Sequence, residues 1–439
     1  MLNYGQVCKY LDGCLIFGIK PGLERVRKLL ELLGNPQKKP DFIHVVGTNG
    51  KTSTTKITAA ILKNHGIKTG YYISPHINSY TERIWIDGED ISEEKFSGAF
   101  NEIYPYIKKV NEMNMQGPMT QFEIITAMAF NIAKSEGVRA MVLEAGMGGR
   151  WDATNIGRAD VAGLTGVSLE HTKILGNTVR EISSEKVQVI KENALVATTS
   201  MEREVLKIIR SKVSSTNSRL FLYGKDFYIK KKVNLGMEGW LLDIKGTGST
   251  CRRMKFPVPG KYQTFNLSLA MVLAELYMKT LNKKLDCERV KGGIEKIKIR
   301  GRFEIIRERP LLIADAAHNP GGIEKLAENL AEYFKRRKKI IIFAVLRDKD
   351  YENMVEKIIN VGDVLILTSS RTERSLDAGK LEEVVRRKAV ESVDIEGRPA
   401  EIYRIRDIKN SVKFALKISD INDIICITGS ITNLKDIVS

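Results

Sequence analysis

Short β-branched apolar runs alternate along the chain with segments whose apolar residues recur at helical spacing. FIHVV (42–46), GYYIS (70–74), AMVLEAG (140–146), VAGLTGV (161–167) and ALVATT (194–199) are the runs of the first half. Parallel strands need long crossovers, usually helices, so this alternation predicts a doubly wound, mostly parallel α/β sheet. Residues 219–250 break the pattern: apolar and polar positions alternate between turn residues, which predicts a small β insertion on the edge of the first domain. A long helix is expected at about Thr264–Leu281. The alternation then restarts in LLIADAA (311–317), KKIIIFAV (338–345), DVLILTSS (363–370) and IICITGS (424–430), predicting a second, Rossmann-like α/β domain. A chain of 439 residues exceeds one core, and the boundary is expected at the charged EKIKIRGR stretch, dividing 1–298 from 299–439.

The strand FIHVV runs straight into Gly47, Thr48, Asn49, Gly50, Lys51, Thr52 and Ser53, followed by Ile57, Ala60 and Ile61 at helical spacing. A Gly-rich turn between a buried strand and a helix directs several backbone N–H groups and the helix N-terminus at one point, where a triphosphate would sit. Val45 stands where the full pattern has a glycine, so this is a shortened GTNGK form of the phosphate loop.

Chemistry in such a sheet gathers at the carboxyl ends of the strands. Ser74 ends GYYIS, Glu144 ends AMVLE, and His171 lies just beyond VAGLTGV. A hydroxyl, a carboxylate and an imidazole beside a phosphate loop suggest a magnesium site. Each alone has an ordinary reading as turn residue, ion-pair partner or loop histidine. The segment HTKILGNTVREISSEKVQVIK (171–191) brings Glu185, Lys186 and Lys191 to the same region, where a helical lysine is usually solvated.

Composition changes the picture little: 43% hydrophobic and 28% charged residues describe an ordinary globular protein. No apolar run approaches the roughly 18 residues of a membrane span, and the N-terminus lacks a signal-peptide profile, so a cytoplasmic protein is expected. Five scattered cysteines form no CxxC pair, and buried, inert thiols are expected rather than a disulfide framework or thiolate metal site. The net charge of +17 favours anionic partners: nucleotides, polycarboxylates or nucleic acid. The basic runs Lys230–Lys232 and Lys335–Lys339 lack aromatic interleaving, so a solvated surface is expected and no nucleic-acid module is read.

The segments FGIKPGLERV, HVVGTNGK, ISPHINSYTERIWIDGEDIS, MTQFEIITAMAF, LEAGMGGRWDATN, LEHTKILGNTVREISSEK, DAAHNPGG and ITGS occur in order over nearly the whole chain. In them the sequence resembles the dihydrofolate synthase and folylpolyglutamate synthase family of the Mur ligase superfamily. The resemblance implies an ATP-dependent ligase that joins glutamate to dihydropteroate or a tetrahydrofolate (poly)glutamate through an acyl phosphate, releasing ADP and phosphate. It implies ATP and Mg2+, with a monovalent cation such as K+ as a further expectation, and a monomer acting on small molecules without membrane or nucleic acid.

By the same resemblance, Gly47–Ser53 bind ATP with Lys51 on its β and γ phosphates, and Asn266, Arg302 and Asp315 contact the nucleotide. Ser53, Ser74, Glu144 and His171 match magnesium ligands, and Lys186 matches a carbamylated lysine beside the metal. Lys51, Lys186, His171 and Glu144 form the implied catalytic set. Leu23, Glu24, Arg25, Val26, Thr120, Phe122, Arg150, Asp152 and Ala153 correspond to the pterin side, and His318 and Ser430 to the surroundings of glutamate. Three departures stand out: Thr52 where the family has glycine, Val187 and Gln188 in place of small residues after Lys186, and Ala316 for glycine in DAAHNP. Two other readings stay open here: a Mur-type ligase acting on a peptidoglycan precursor, favoured by GKTST, and a basic P-loop protein that binds nucleic acid.

Overall fold

The computed structural model describes residues 1–18, 21–391, 401–435 and 437–438; Ile19 and Lys20 of FGIKPGLERV lie outside them. The chain folds as two compact units, Met1–Leu235 with Trp240–Pro257 and Gln263–Ile297 in the first, and Gly236–Gly239 with Val258–Tyr262 and Lys298–Ser439 in the second. No helix among the described residues is long and apolar enough to cross a membrane.

The first unit holds β1 (Asp41–Val46), β2 (Thr69–Tyr72), β3 (Ile84–Ile86), β4 (Glu89–Asp90), β5 (Ala140–Glu144), β6 (Ala159–Leu164), β7 (Leu195–Thr198) and β8 (Arg219–Leu222) in one sheet. Their order is β4-β3-β2-β5-β1-β6-β7-β8, parallel except at the β3 and β4 edge. The β1 run is central because it is apolar on both faces, and a parallel sheet covered by helices buries both. The helix Gln121–Ser135 is buried almost throughout and starts on a reciprocal cap, Thr120 Oγ1 accepting from Glu123 N–H and the Glu123 carboxylate from Thr120 N–H. The helix Lys261–Thr280 packs directly on β6, where a Cβ on Gly163 would stand 2.5 Å from Leu273.

The expected insertion at 219–250 is corrected in its extent. Residues Arg219–Leu222 pair in parallel with β7 and extend the main sheet. The antiparallel piece is β9 (Tyr228–Asn234), β10 (Trp240–Lys245) and β11 (Thr250–Phe256), a separate three-stranded sheet. RLFL is too short for its periodicity to distinguish a buried edge strand from a hairpin arm.

The cysteine expectation is also corrected. Cys251 on β11 and Cys287 at the start of the helix Cys287–Ile294 form a disulfide across 36 residues of sequence, while Cys8, Cys14 and Cys426 are free. Spacing alone does not reveal such pairing. Closing a loop of this length restricts the unfolded chain, so reduction is expected to destabilise the first unit by about 2–4 kcal/mol. Denaturation with and without reductant checks this, and coincident curves contradict it.

The second unit contains β12 (Glu304–Glu308), β13 (Leu311–Ala314), β14 (Lys339–Phe343), β15 (Val364–Leu367), β16 (Glu401–Arg404) and β17 (Ile424–Thr428). The order is β12-β13-β17-β14-β15-β16, with only β12 antiparallel. The four inner strands are the runs read from sequence. The edge strands β12 and β16 escape that reading because both are largely exposed and carry no continuous apolar run.

Candidate active site

Sheet register places the chemistry of the first unit side by side. Val45 of β1 stands beside Glu144 of β5, Val46 beside Leu164 of β6, and Tyr72 of β2 beside Leu143. Ser74, Glu144, the phosphate loop and the segment leading to His171 therefore leave neighbouring strand ends.

The loop needs its glycines. Gly47 has φ 150° and a Cβ there would meet Thr165 Oγ1 at 1.8 Å; Gly50 has φ 89° and its Cβ would meet Asn266 Oδ1 at 2.4 Å. Gly50 is also the N-cap of the helix Lys51–Asn64 and has no side chain to cover the helix's first N–H groups. Those donors and the positive end of the helix suit a phosphate. Lys51 Nζ donates to the carbonyls of Gly47 (3.1 Å) and Thr48 (2.9 Å), curling over its own loop. Thr48 Oγ1 ties the loop to the β6 exit by donating to Ser168 O and accepting from Ser168 N–H. Asn49 is exposed at the tip. Asn266 is buried against Gly50, its amide donating to Gln263 Oε1 at 2.9 Å.

Glu144 is 2% exposed, and both carboxylate oxygens lie 2.9 Å from Thr52 Oγ1, which donates to them; Ser74 N–H reaches one at 3.4 Å. Thr52, the residue that departs from the family's glycine, thus links the loop to the acid. Ser53 Oγ is buried without a hydrogen-bond partner. An orphaned buried hydroxyl is costly unless something else completes it. Among the described residues, no group of three or more His, Cys, Asp or Glu side chains could hold a metal ion. A divalent cation here would accordingly rely on hydroxyl oxygens and phosphate as well as Glu144, a set that fits a hard ion. If Ser53 serves a ligand rather than the fold, Ser53→Ala is expected to leave stability within about 0.5 kcal/mol yet weaken metal–nucleotide affinity. Calorimetry on the variant checks both halves, and unchanged affinity sinks the assignment.

His171 is half-buried with φ 49°, a left-handed conformation unusual for a non-glycine residue and typical of functional loops. Lys186 is buried and its Nζ donates to Gly47 O and Glu170 Oε1, both at 2.8 Å. Burial lowers the Lys186 pKa against the opposing pull of Glu170. Burial would raise that of Glu170, but Lys186, Lys51 and His171 around it prevail and bring it down to about 2. Sequence reading missed Glu170; its signal was the acid directly before His171 in LEHTK.

The pterin-side set is only partly assembled. Arg25 is 2% exposed and its Nε donates to both Glu123 oxygens at 3.1 and 3.2 Å, and Val26 is fully buried. In this structure the two side chains join core and helix. Leu23 is buried and Glu24 exposed. Thr120 serves its helix cap, while the half-buried Phe122 packs against Tyr72 and over Gly146. Asp152 accepts from Met147 N–H, Thr154 N–H and Thr154 Oγ1, folding its own loop with buried Ala153; burial raises its pKa against those bonds. Arg150 is exposed and pairs with Glu185 at 3.1 Å, and the next residue, Trp151, is half exposed.

In the second unit, buried Asp315 accepts from Phe303 N–H and Ala317 N–H at 2.8 Å and Tyr262 OH at 3.3 Å. Burial raises its pKa and Arg302 opposes the rise. His318 Nδ1 lies 2.8 Å from Ala316 O and donates to it. Ser430 is buried, its hydroxyl 2.8 Å from that of Thr432. Strands β13 and β17 are parallel neighbours and Gly429 N–H donates to Ala317 O, so His318 and Ser430 leave one sheet edge.

Fold and loop together define a P-loop nucleotide-binding α/β protein. Family comparison sharpens the class: the Mur ligase middle domain matches residues 45–274, and the Mur ligase glutamate ligase domain residues 301–431. The chain is 30% identical to the dihydrofolate synthase/folylpolyglutamate synthase of Bacillus subtilis strain 168 over 99% of its length and 98% of that protein's. It superposes on folylpolyglutamate synthase of Mycobacterium tuberculosis complexed with ADP and AMPPCP with a TM-score of 0.89, at 29% identity, covering 98% of this chain and 96% of that one. The bifunctional folylpolyglutamate synthase/dihydrofolate synthase of Yersinia pestis complexed with AMPPNP and a Mn ion gives a TM-score of 0.83 at 26% identity over 99% and 97%. The chain belongs to the dihydrofolate synthase and folylpolyglutamate synthase family of the Mur ligases.

Proposed function

We propose that this chain is an ATP-dependent ligase that adds L-glutamate to dihydropteroate, to tetrahydrofolate (poly)glutamates, or to both. The single observation carrying the reading is the phosphate cradle at Gly47–Ser53 joined through Thr52 to the buried Glu144. Its relatives named as folylpolyglutamate or dihydrofolate synthases support the substrate.

The loop N–H groups and Lys51 hold the triphosphate and favour the charge that develops as the substrate carboxylate attacks the γ-phosphorus. The bond to ADP breaks and an acyl phosphate forms. The glutamate amine then attacks the acyl carbon, loses a proton and expels phosphate. Residues 1–298 carry the ATP chemistry in this reading, with Asn266 on the nucleotide, and residues 299–439 the glutamate side, with His318 and Ser430 on glutamate and Arg302 and Asp315 on the nucleotide.

Ser53, Ser74, Glu144 and His171 would hold Mg2+, which supplies neutralisation of phosphate charge when bound. The Mn ion in the Yersinia pestis complex supports a divalent ion. Lys186 is the amine assigned to carbamylation, since burial favours the neutral form that reacts with carbon dioxide. We assign the protein as a cytoplasmic monomer acting on small molecules.

Phosphate release with ATP, Mg2+, K+ and glutamate, offering dihydropteroate, tetrahydrofolate and UDP-linked peptidoglycan precursors in turn, tests the proposal. Release with either pterin acid is expected. Release with the UDP-linked compounds alone overturns it.

A further inference from the structure

The SPHINSYTERI segment contains a buried cation that the mechanism above does not use. Arg83 is 7% exposed and ends the short turn Tyr80–Arg83 that leads into β3. Its contacts are all with neutral groups. Nε donates to His76 Nδ1 at 2.9 Å, a terminal nitrogen donates to Gln121 Oε1 at 3.4 Å, and the guanidinium carbon lies 5.1 Å from the Tyr80 ring centroid. By accepting at Nδ1, His76 is a neutral ring protonated at Nε2. Among the described residues Arg83 makes no ion pair.

The surrounding acids are committed elsewhere. Asp12 accepts from Tyr80 OH, Glu82 accepts from the backbone N–H groups of Ile77, Asn78 and Ser79, and Asp152 is held by its own loop. Arg25 makes the contrast: also buried, it has Glu123 as counter-ion. A buried charge without a counter-ion is costly, and folds keep one where a ligand supplies the opposite charge.

The location is informative. His76 lies two residues beyond Ser74, whose N–H reaches Glu144, and Gln121 lies between Thr120 and Phe122 at the start of the helix assigned to the pterin side. Arg83 therefore joins the segment that leads from the phosphate-side acid to the pterin-side helix.

We propose that Arg83 is a specificity-determining residue that receives the carboxylate of the acceptor acid and aligns it between the pterin-side helix and the phosphate loop. This rests on the ligase reading given above. A guanidinium has five N–H donors in a planar fork matched to carboxylate; His76 and Gln121 engage two of them, and the neutral Tyr72 hydroxyl is a further neighbour. A site built around such a fork rejects a neutral isostere, because the buried charge then goes unanswered.

Calorimetric titration of pteroic acid and its carboxamide into wild type, Arg83→Gln and Arg83→Lys tests this, with Mg2+-ADP as control. Wild type is expected to prefer the acid by about 30-fold. Arg83→Gln should bind acid and amide alike, with nucleotide affinity unchanged, and Arg83→Lys should fall between. Retained discrimination in Arg83→Gln, or a parallel loss of acid and amide, overturns the proposal while leaving the ligase reading standing. Should Arg83→Gln fail to fold by thermal denaturation, Arg83→Lys decides, and wild-type discrimination in it overturns the proposal. Wild type that binds Mg2+-ADP but neither pterin ligand overturns the substrate reading, and this proposal with it.

Discussion

Lys51→Ala is expected to lower phosphate release on the order of 10³-fold while leaving the fold intact, because its ammonium is the movable positive charge at the phosphate loop. Among the described residues its hydrogen bonds run to the carbonyls of Gly47 and Thr48. Gly47 O also accepts from Lys186, so it keeps a donor in the variant. The stability cost is accordingly under about 1 kcal/mol. Lys51 is also one of the charges that lower the Lys186 pKa, so its removal relaxes that shift upward. Steady-state phosphate release, an ATP titration and a thermal melt on one preparation separate these effects. Turnover within tenfold of wild type would remove Lys51 from the chemistry, and a large drop in melting temperature would make it structural instead.

The phosphate loop was legible because it is a backbone device: a strand, a turn that only glycine can follow at 47 and 50, and a helix start. Glu144 and Ser74 were legible as strand ends, since register in a parallel sheet follows from which apolar runs are central. Glu170 was not, because its importance depends on Lys186 arriving from another helix, and no local spacing encodes that. The partner of Arg25 was not legible either: its side chain joins its helix to Glu123, 98 residues away. The Cys251–Cys287 bond is equally nonlocal. In the fold, the runs with both faces buried were read correctly, whereas β3, β4, β12 and β16 escaped because each is very short or largely exposed.

Lys186→Ala is expected to destabilise the first unit by about 3–5 kcal/mol and to lower ligation by on the order of 10²-fold or more. The stability loss follows from geometry: the two side chains are 2% and 6% exposed and 2.8 Å apart, so removing the lysine strands a carboxylate in the interior. The sign with pH follows from Glu170. Its folded pKa is about 2 against an ordinary 4.5, so the unfolded chain binds the extra proton between these values. The stability that Glu170 contributes is therefore complete above about pH 4.5 and drains away as pH falls toward 2. In Lys186→Ala the main cation facing Glu170 is gone, and this acid-side loss should shrink. The double variant Glu170→Gln/Lys186→Ala should recover most of the stability, since no buried charge is left unanswered, and none of the ligation. Short-chain carboxylates such as acetate, filling the space left in Lys186→Ala, should restore part of the activity if a carbamate normally stands there. Denaturant titration between pH 3 and 7 with parallel phosphate-release assays distinguishes the two roles. An undiminished midpoint in Lys186→Ala would dismiss the buried pair, and full turnover without added carboxylate would dismiss the carbamate.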